Sequence, residues 1–307
     1  MHLKTVRDLR LAVAPQAGRL AHLSAASGLV RVGSMLYVIA DDELQLGVFP
    51  MESADLGHLI RLIEGDLPDS HAERKKAKPD FEALTRLAPF DRHPHGALLA
   101  LGSGGRKPRR RAVLVALDER GAQAASVRLI DAAALFDALK SEIDDLNIEG
   151  AVVSGDRLLL MHRGNKSHAF SAVIGFSLSA VLRSIACDNF LPKLPILSLR
   201  HYDLGTIEGI PLCFTDGAAL PGGELVFSAI AEDTSDNYSD GPCIASAVGM
   251  IGPYGNVQVL SYVDRPCKIE GVHAERNGSD LRLWLVTDAD DATIPATLLT
   301  GELRPPQ

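Results

Sequence analysis

The chain has 307 residues and carries 31 Lys+Arg against 39 Asp+Glu, a formal net charge of −8. With 46% hydrophobic and 23% charged residues it can bury a sizeable core, as one large domain or two ordinary ones, which argues against disorder. The acidic balance argues against a nucleic-acid-coating protein, which needs surplus cations, and no run of 18 apolar residues offers a membrane span.

The first segment, MHLKTVRDLRLAVAPQ, threads charges through a short apolar stretch. It therefore reads as a strand, VRDLRLAV, rather than a signal peptide, and a cytoplasmic location is the expectation. ASGLVRVGSMLYVIADD follows as an apolar hairpin, then GDLPDSHAERKKAKPD (65–80), a charged, Pro-bounded loop expected to be solvated. Next come EALTRLAP, GALLALG, RRAVLVALD and AASVRLID, four short β runs. The GSGGRKPRRR between them lacks G-x-x-x-x-G-K-[ST] and reads as a turn and strand entry. DAAALFDALKSEIDDL (131–146) spaces Leu135, Phe136, Leu139 and Ile143 as a surface helix would. VVSGDRLLLMHR is a hairpin, followed by FSAVIGFSL and LPILSLRHYDL as outer strands. The strands IPLCFTDG, ELVFSAIA, IASAVGMIG and VQVLSYVD come next, and the last unit has three, ending in ATLLTGEL. The four cysteines (Cys187, Cys213, Cys243, Cys267) form no CxxC and read as small buried hydrophobes of a reduced protein.

One tripeptide recurs through this series. Ile148-Glu149-Gly150, Ile207-Glu208-Gly209 and Ile269-Glu270-Gly271 each precede an apolar run, a polar turn and a second apolar run; Phe81-Glu82-Ala83 and Ala26-Ser27-Gly28 are weaker copies. The intervals between Ser27, Glu82, Glu149, Glu208 and Glu270 are 55, 67, 59 and 62 residues, and the two chain ends together supply another 64. Five units of similar length account for the chain, so the expected fold is all-β: a single five-bladed β-propeller over residues 1–307. Its four-stranded blades start near 27, 82, 149, 208 and 270, and the N-terminal strand completes the last blade.

In a propeller the innermost strands line a central channel, so Ser27, Glu82, Glu149, Glu208 and Glu270 are expected to converge on its axis. The Gly or Ala after each lets neighbouring blades approach. Clustered carboxylates raise one another's pKa and must be neutralised by a cation, by protonation or by Lys and Arg. Equivalent repeat positions offer no basic residue, and calcium suits a carboxylate–hydroxyl–water shell. Alternatively the Glu side chains point sideways and staple one blade to the next. The loops after each second strand return to the same face and bring Arg106, His162, Arg163 and several Asp to the expected mouth. Arg163 and Arg106 are candidate anion clamps, and His162, with His201 and His273 behind it, a candidate acid or base. On a strict pleat His162 and Arg163 cannot both point inward.

The D/N-x-E-G start of the blades resembles the phytase-like or esterase-like β-propellers. The order Ser, Glu, Glu, Glu, Glu resembles the calcium-activated nucleotidases (apyrases), five-bladed propellers with an axial calcium held by one Ser or Glu per blade. The chain departs from the apyrase pattern at Glu270, where a second Ser is usual, and it lacks the aromatic residues that flank those motifs. What the resemblance implies is an axial Ca2+; nucleotide hydrolysis does not carry over. Two functions follow as expectations: a calcium-dependent hydrolase of phosphorylated or other anionic esters, with a small anionic ligand at the channel mouth, or a non-catalytic binding propeller with a structural cation. A glycosidase ranks behind both, since near-equivalent axial carboxylates make a poor acid and base pair and a single Trp leaves little to stack on sugars.

Overall fold

The computed structural model describes residues 1–121, 124–236, 241–265 and 267–306. Its strands form five antiparallel blades, a five-bladed β-propeller. The first blade runs outward through β2 (Ala26–Val32), β3 (Met35–Ala40), β4 (Gln45–Pro50) and β5 (His58–Arg61), and the second through β6 (Phe81–Leu87), β7 (Ala97–Gly102), β8 (Arg111–Leu117) and β9 (Ala124–Asp131). The third holds β10 (Ile148–Ser154), β11 (Arg157–His162), β12 (Ser171–Ser177) and β13 (Ser198–Tyr202). In the fourth, a two-residue β14 (Thr206–Ile207) precedes β15 (Ile210–Ala219), β16 (Leu225–Glu232), β17 (Cys243–Ile251) and β18 (Val257–Tyr262). The fifth has β19 (Ile269–Asn277), β20 (Asp280–Thr287) and β21 (Thr297–Leu303), and is completed by β1 (Lys4–Asp8), which pairs Lys4 with Thr300. The ring therefore closes between the two ends of the chain.

Middle strands read as continuous apolar runs because each is covered on both faces. In β7, Leu98 and Ala100 pack against Tyr37 and Leu46 of the first blade, while Leu99 and Leu101 join Leu160 and Ile174 of the third. In β20, Leu283 and Leu285 face the fourth blade, while Trp284 and Val286 face the first. The period of two thus sends alternate residues to opposite neighbours, giving five inter-blade cores in place of one central core. Burial of each such Leu or Val contributes about 1.5–3 kcal/mol.

Among the described residues, three α-helices interrupt the blades. α2 (Ala133–Lys140) lies in the segment expected to be helical and buries Leu135, Phe136 and Leu139. Periodicity gave no warning of α3 (Leu178–Cys187), which follows directly on β12. The segment 65–80, expected to be a solvated loop, contains α1 (His71–Ala77) and buries Arg74 and Asp80. No helix among the described residues is long and apolar enough to cross a membrane.

The inner strands share one irregularity. Each slips register by one residue near its start, leaving Ser27, Glu82, Glu149 and Glu270 as the extra residue in β2, β6, β10 and β19. A bulge of this kind bends the strand and re-aims the side chain it carries. The residue after it is crowded: a Cβ added at Gly28 would stand 2.8 Å from the Glu82 carbonyl oxygen of the neighbouring blade. This contact is the physical reason for the small residue in the repeat.

Candidate functional site

The four bulge residues Ser27, Glu82, Glu149 and Glu270 line one cavity of about 70 Å³ at a mouth of the channel. Glu208 does not join them. It sits exposed, at φ +53°, in the tight turn between β14 and β15. In the fourth blade the register slip falls between Phe214 and Asp216, so the ring position belongs to Thr215. The Thr215 hydroxyl donates to the Ile269 carbonyl at 2.8 Å and so ties the fourth blade to the fifth. The position after the bulge, Gly28, Ala83, Gly150 and Gly271 in the other blades, is Asp216 here. Its carboxylate is buried, with Oδ2 accepting the Val272 N–H at 3.0 Å, and burial pushes its pKa well above the usual carboxylate range. Glu208→Gln should accordingly leave stability within about 0.5 kcal/mol in a denaturation curve.

Loops from every blade complete the mouth. Asp41, Arg163, Glu232 and Asp288 come from turns after second strands, while Asp80, Asn147 and Lys268 stand two residues before a ring residue and so share its side of the strand. α1 leads into Lys78, and Arg109 follows β7. The cavity is bordered by eight carboxylates and five cationic side chains.

The sequence alone led us to expect no basic partner for the ring; the fold brings three from outside the repeat. Arg163 pairs with Glu232 and lies 3.6 Å from Glu149 and 3.7 Å from Glu270. Lys268 pairs with Glu232 at 3.0 Å and Asp290 at 2.7 Å, with Glu270 at 3.8 Å. Lys78 pairs with Asp41 and, at 2.9 Å, with Asp80, which also takes Arg109 at 2.7 Å and the Ser103 hydroxyl at 2.5 Å. Asp41, Asp80 and Glu82 can place one oxygen each within 4.8 Å of one another, and the Lys78 ammonium serves this group.

The surplus acids show in the titration of the site. Burial works against the Glu232 and Asp80 carboxylates, yet their cationic neighbours outweigh it and hold both below the usual range. Glu149 is less well served: burial, only partly offset by Arg163, pushes it up to about 7, although Asn147 donates to it at 2.5 Å. Burial raises Glu82 well above the usual range, with Glu149 adding to it. Burial also pushes Asp288 up to about 8, helped by Asp41. Glu270 is 4% exposed, and neither carboxylate oxygen has a hydrogen-bond partner among the described residues. Burial holds its pKa well above the usual range despite Arg163 and Lys268.

Of the three candidates for catalysis, only Arg163 lines the cavity, and its guanidinium is engaged by carboxylates. Arg106 is exposed at the start of a 3-10 turn (Lys107–Arg109) and stands outside the lining, where Arg109 takes its place. His162 is buried beneath the mouth: its Nδ1 accepts the Asn147 N–H at 3.1 Å, and burial lowers its pKa to about 4, so the ring is neutral near pH 7. It holds the lead-in to Glu149 and does not itself border the cavity. His201 lies on the outer strand β13, and His273 borders the opposite end of the channel. Of the polar loop 234–241, Thr234 and Asp236 border the cavity and residues 237–240 lie outside the described residues.

The chain belongs to a family of unknown function, DUF6929, whose sequence profile matches residues 22–303. No curated protein sequence matches it. Among solved structures it is similar to a luciferin-regenerating enzyme, at 9% identity over 91% of each chain with a TM-score of 0.46. It is also similar to a glycosyl hydrolase from Bacteroides ovatus, at 11% identity over 99% of this chain and 95% of that one, TM-score 0.43. A third is the WD40 β-propeller domain of Doa1, at 10% identity over 97% of each chain, TM-score 0.39.

Proposed function

We propose that this family member binds a hard divalent cation at the axial mouth, calcium by the chemistry of the donors, and uses it to hold a small anionic ligand there. Glu82, Glu149 and Glu270 would draw together on the ion, with the Ser27 hydroxyl beside them; without it, among the described residues, only Glu82, with Asp41 and Asp80, brings an oxygen within 4.8 Å of two other carboxylates. The observation that carries this reading is Glu270, a buried carboxylate lining the cavity with no hydrogen bond to either oxygen. Such a group costs several kcal/mol unless something neutralises it. The arginine and lysines nearby are spent mainly on Glu232, Asp80 and Asp41, which leaves the ring glutamates undersupplied. Carboxylate and hydroxyl oxygens without a His or Cys in the cavity suit calcium and argue against zinc. A cavity of about 70 Å³ is room for an ion and about two waters, given roughly 30 Å³ per water.

An anionic ligand would reach the site by ligating the bound cation, since Arg163 is held among carboxylates of its own and serves as counter-ion and positioning residue. That arrangement favours a ligand-binding propeller. One observation favours the second reading, a hydrolase of anionic esters: Asp288 borders the cavity with a pKa near 8 and is therefore a candidate for moving a proton. A bound divalent cation would supply polarisation of the ester oxygen. The test is elemental analysis of the purified protein with thermal denaturation in the presence and absence of a chelator. About one divalent ion per chain and a fall in Tm on chelation are expected. No ion and no shift, with calcium added back, would leave the glutamates as a protonated network. Turnover of phosphate or carboxylate esters that requires calcium would decide for the hydrolase.

A further inference from the structure

Lys78 borders the axial cavity, and the chain is shaped locally to aim it there. The residue before a proline is pushed out of the helical region, and Lys78 accordingly leaves α1 extended, at ψ 143°, ahead of Pro79. Asp80 then takes a left-handed φ of +54°, uncommon outside glycine. Together they bring the Lys78 ammonium to a carboxylate two residues on, 2.9 Å from Asp80 Oδ1. The same ammonium pairs with Asp41 Oδ2 from the first blade.

The oxygens at this edge divide between two kinds of partner. Asp80 Oδ2 pairs with Arg109 at 2.7 Å and accepts the Ser103 hydroxyl at 2.5 Å, whereas Oδ1 is served by Lys78. Glu82 is 9% exposed and makes no hydrogen bond or ion pair among the described residues. Its carboxylate nevertheless brings an oxygen within 4.8 Å of one each from Asp41 and Asp80. Among the described residues no other three Asp, Glu, His or Cys side chains come so close. The Lys78 ammonium thus stands among oxygens that a calcium ion would use, and it brings one charge where the ion brings two. Two cations cannot share those oxygens, because they repel at that range.

We infer that Lys78 is a built-in competitor of the divalent cation: its ammonium fills the Asp41–Asp80–Glu82 edge of the site until the ion displaces it. This rests on the cation reading and gives that site its regulation, since Lys78 then sets the calcium concentration at which the site fills. Glu82 is the link, being a member of both the axial ring and this edge. A site that is open for only a fraction of the time binds more weakly by that fraction. A lysine suits the part, because its charge rides on a flexible four-carbon stem and can leave without moving the backbone. Lys78 also borders a second cavity of about 210 Å³, whose wall holds Asp69, Asp290 and Asp291 as acceptors for the displaced ammonium.

Two measurements on the full chain test it. In an isothermal calcium titration, Lys78→Met should bind about tenfold more tightly than the parent, as expected if the ammonium is out of the way about a tenth of the time. Lys75→Met removes one positive charge from the lining of the same cavity and is the control, with an expected gain below about threefold. In the parent chain, lysine acylation read by mass spectrometry should find Lys78 slow in chelator and severalfold faster in saturating calcium, with the exposed Lys76 as internal standard. This second arm needs no variant and decides the matter should Lys78→Met fold poorly. An affinity unchanged or weakened in Lys78→Met, a gain equalled by Lys75→Met, or a Lys78 reactivity indifferent to calcium would overturn the inference. Where the parent binds calcium, any of these sinks the inference alone; no calcium bound by parent or Lys78→Met sinks the cation reading with it.

Discussion

Replacing Arg163 by alanine is expected to cost about 3–5 kcal/mol of stability, the range for removing one partner from a buried ionic cluster. The side chain is 11% exposed and stands among Glu149, Glu232 and Glu270, so its loss leaves three carboxylates facing one another with only Lys268 between them. The sequence alone cast Arg163 as an anion clamp. In the structure its guanidinium lies among three carboxylates, so the loss is expected in urea denaturation before any substrate is added. Two companions separate charge from packing. Arg163→Lys should recover part of the loss, because a single ammonium cannot serve three carboxylates as a planar guanidinium does. Saturating calcium should rescue Arg163→Ala more than the parent chain, since the ion would take over neutralisation of the same oxygens. A loss below about 1 kcal/mol would mean that these carboxylates are already neutral without Arg163.

The second large effect is on pH. Burial pushes Glu149 and Glu43 up to about 7 and Asp288 up to about 8, whereas the same groups titrate near 4 in an unfolded chain. Between pH 6.5 and 8 the folded protein therefore keeps protons that the unfolded chain has already released, and stability falls as pH rises through that window. If the three groups acted independently the fall would be about 2–3 kcal/mol, at roughly 1.4 kcal/mol per unit for each proton held. His162, lowered by burial to about 4, acts in the opposite direction below about pH 7.5, where an unfolded histidine begins to charge, and offsets only about 0.4 kcal/mol of the fall above pH 6.5. Calcium should flatten the decline, because the ion requires deprotonated ligands and binds more tightly as pH rises. Thermal denaturation at pH 6.5, 7.25 and 8, with chelator and with calcium, measures both slopes. A chelated protein whose Tm is level or rises over this range would contradict the surplus of buried carboxylates.

The architecture was legible because a propeller writes its period into the chain. Short apolar runs at regular spacing and the recurring Ile-Glu-Gly gave the blade number, the closure by β1 and three of the four glutamates expected on the axis. The fourth blade misled for a local reason. Ile207-Glu208-Gly209 repeats the tripeptide, but Glu208 and Gly209 both take positive φ in a two-strand turn that precedes the true inner strand. Phe214-Thr215-Asp216-Gly217, seven residues on, carries the bulge, and its signal was an apolar residue followed by two small polar ones in the middle of a long strand. The counter-ions were beyond sequence reading altogether. Arg163 meets Glu232 across 69 residues and Lys78 meets Asp41 across 37, pairings set by where loops of different blades return and not by any spacing within a blade. The same holds for α1, whose charges read as a solvated face until Arg74 is seen buried on Asp42 and Glu43.

The central claim, a cation held on the axis by Glu82, Glu149 and Glu270, is tested most directly by anomalous scattering from crystals soaked in a calcium analogue such as terbium, with Glu270→Gln as the control. The account predicts one strong peak on the channel axis within ligand distance of those three carboxylates, lost or greatly weakened in Glu270→Gln. Peaks confined to the exposed Asp290–Asp291 loop, or an axial peak indifferent to Glu270, would contradict it.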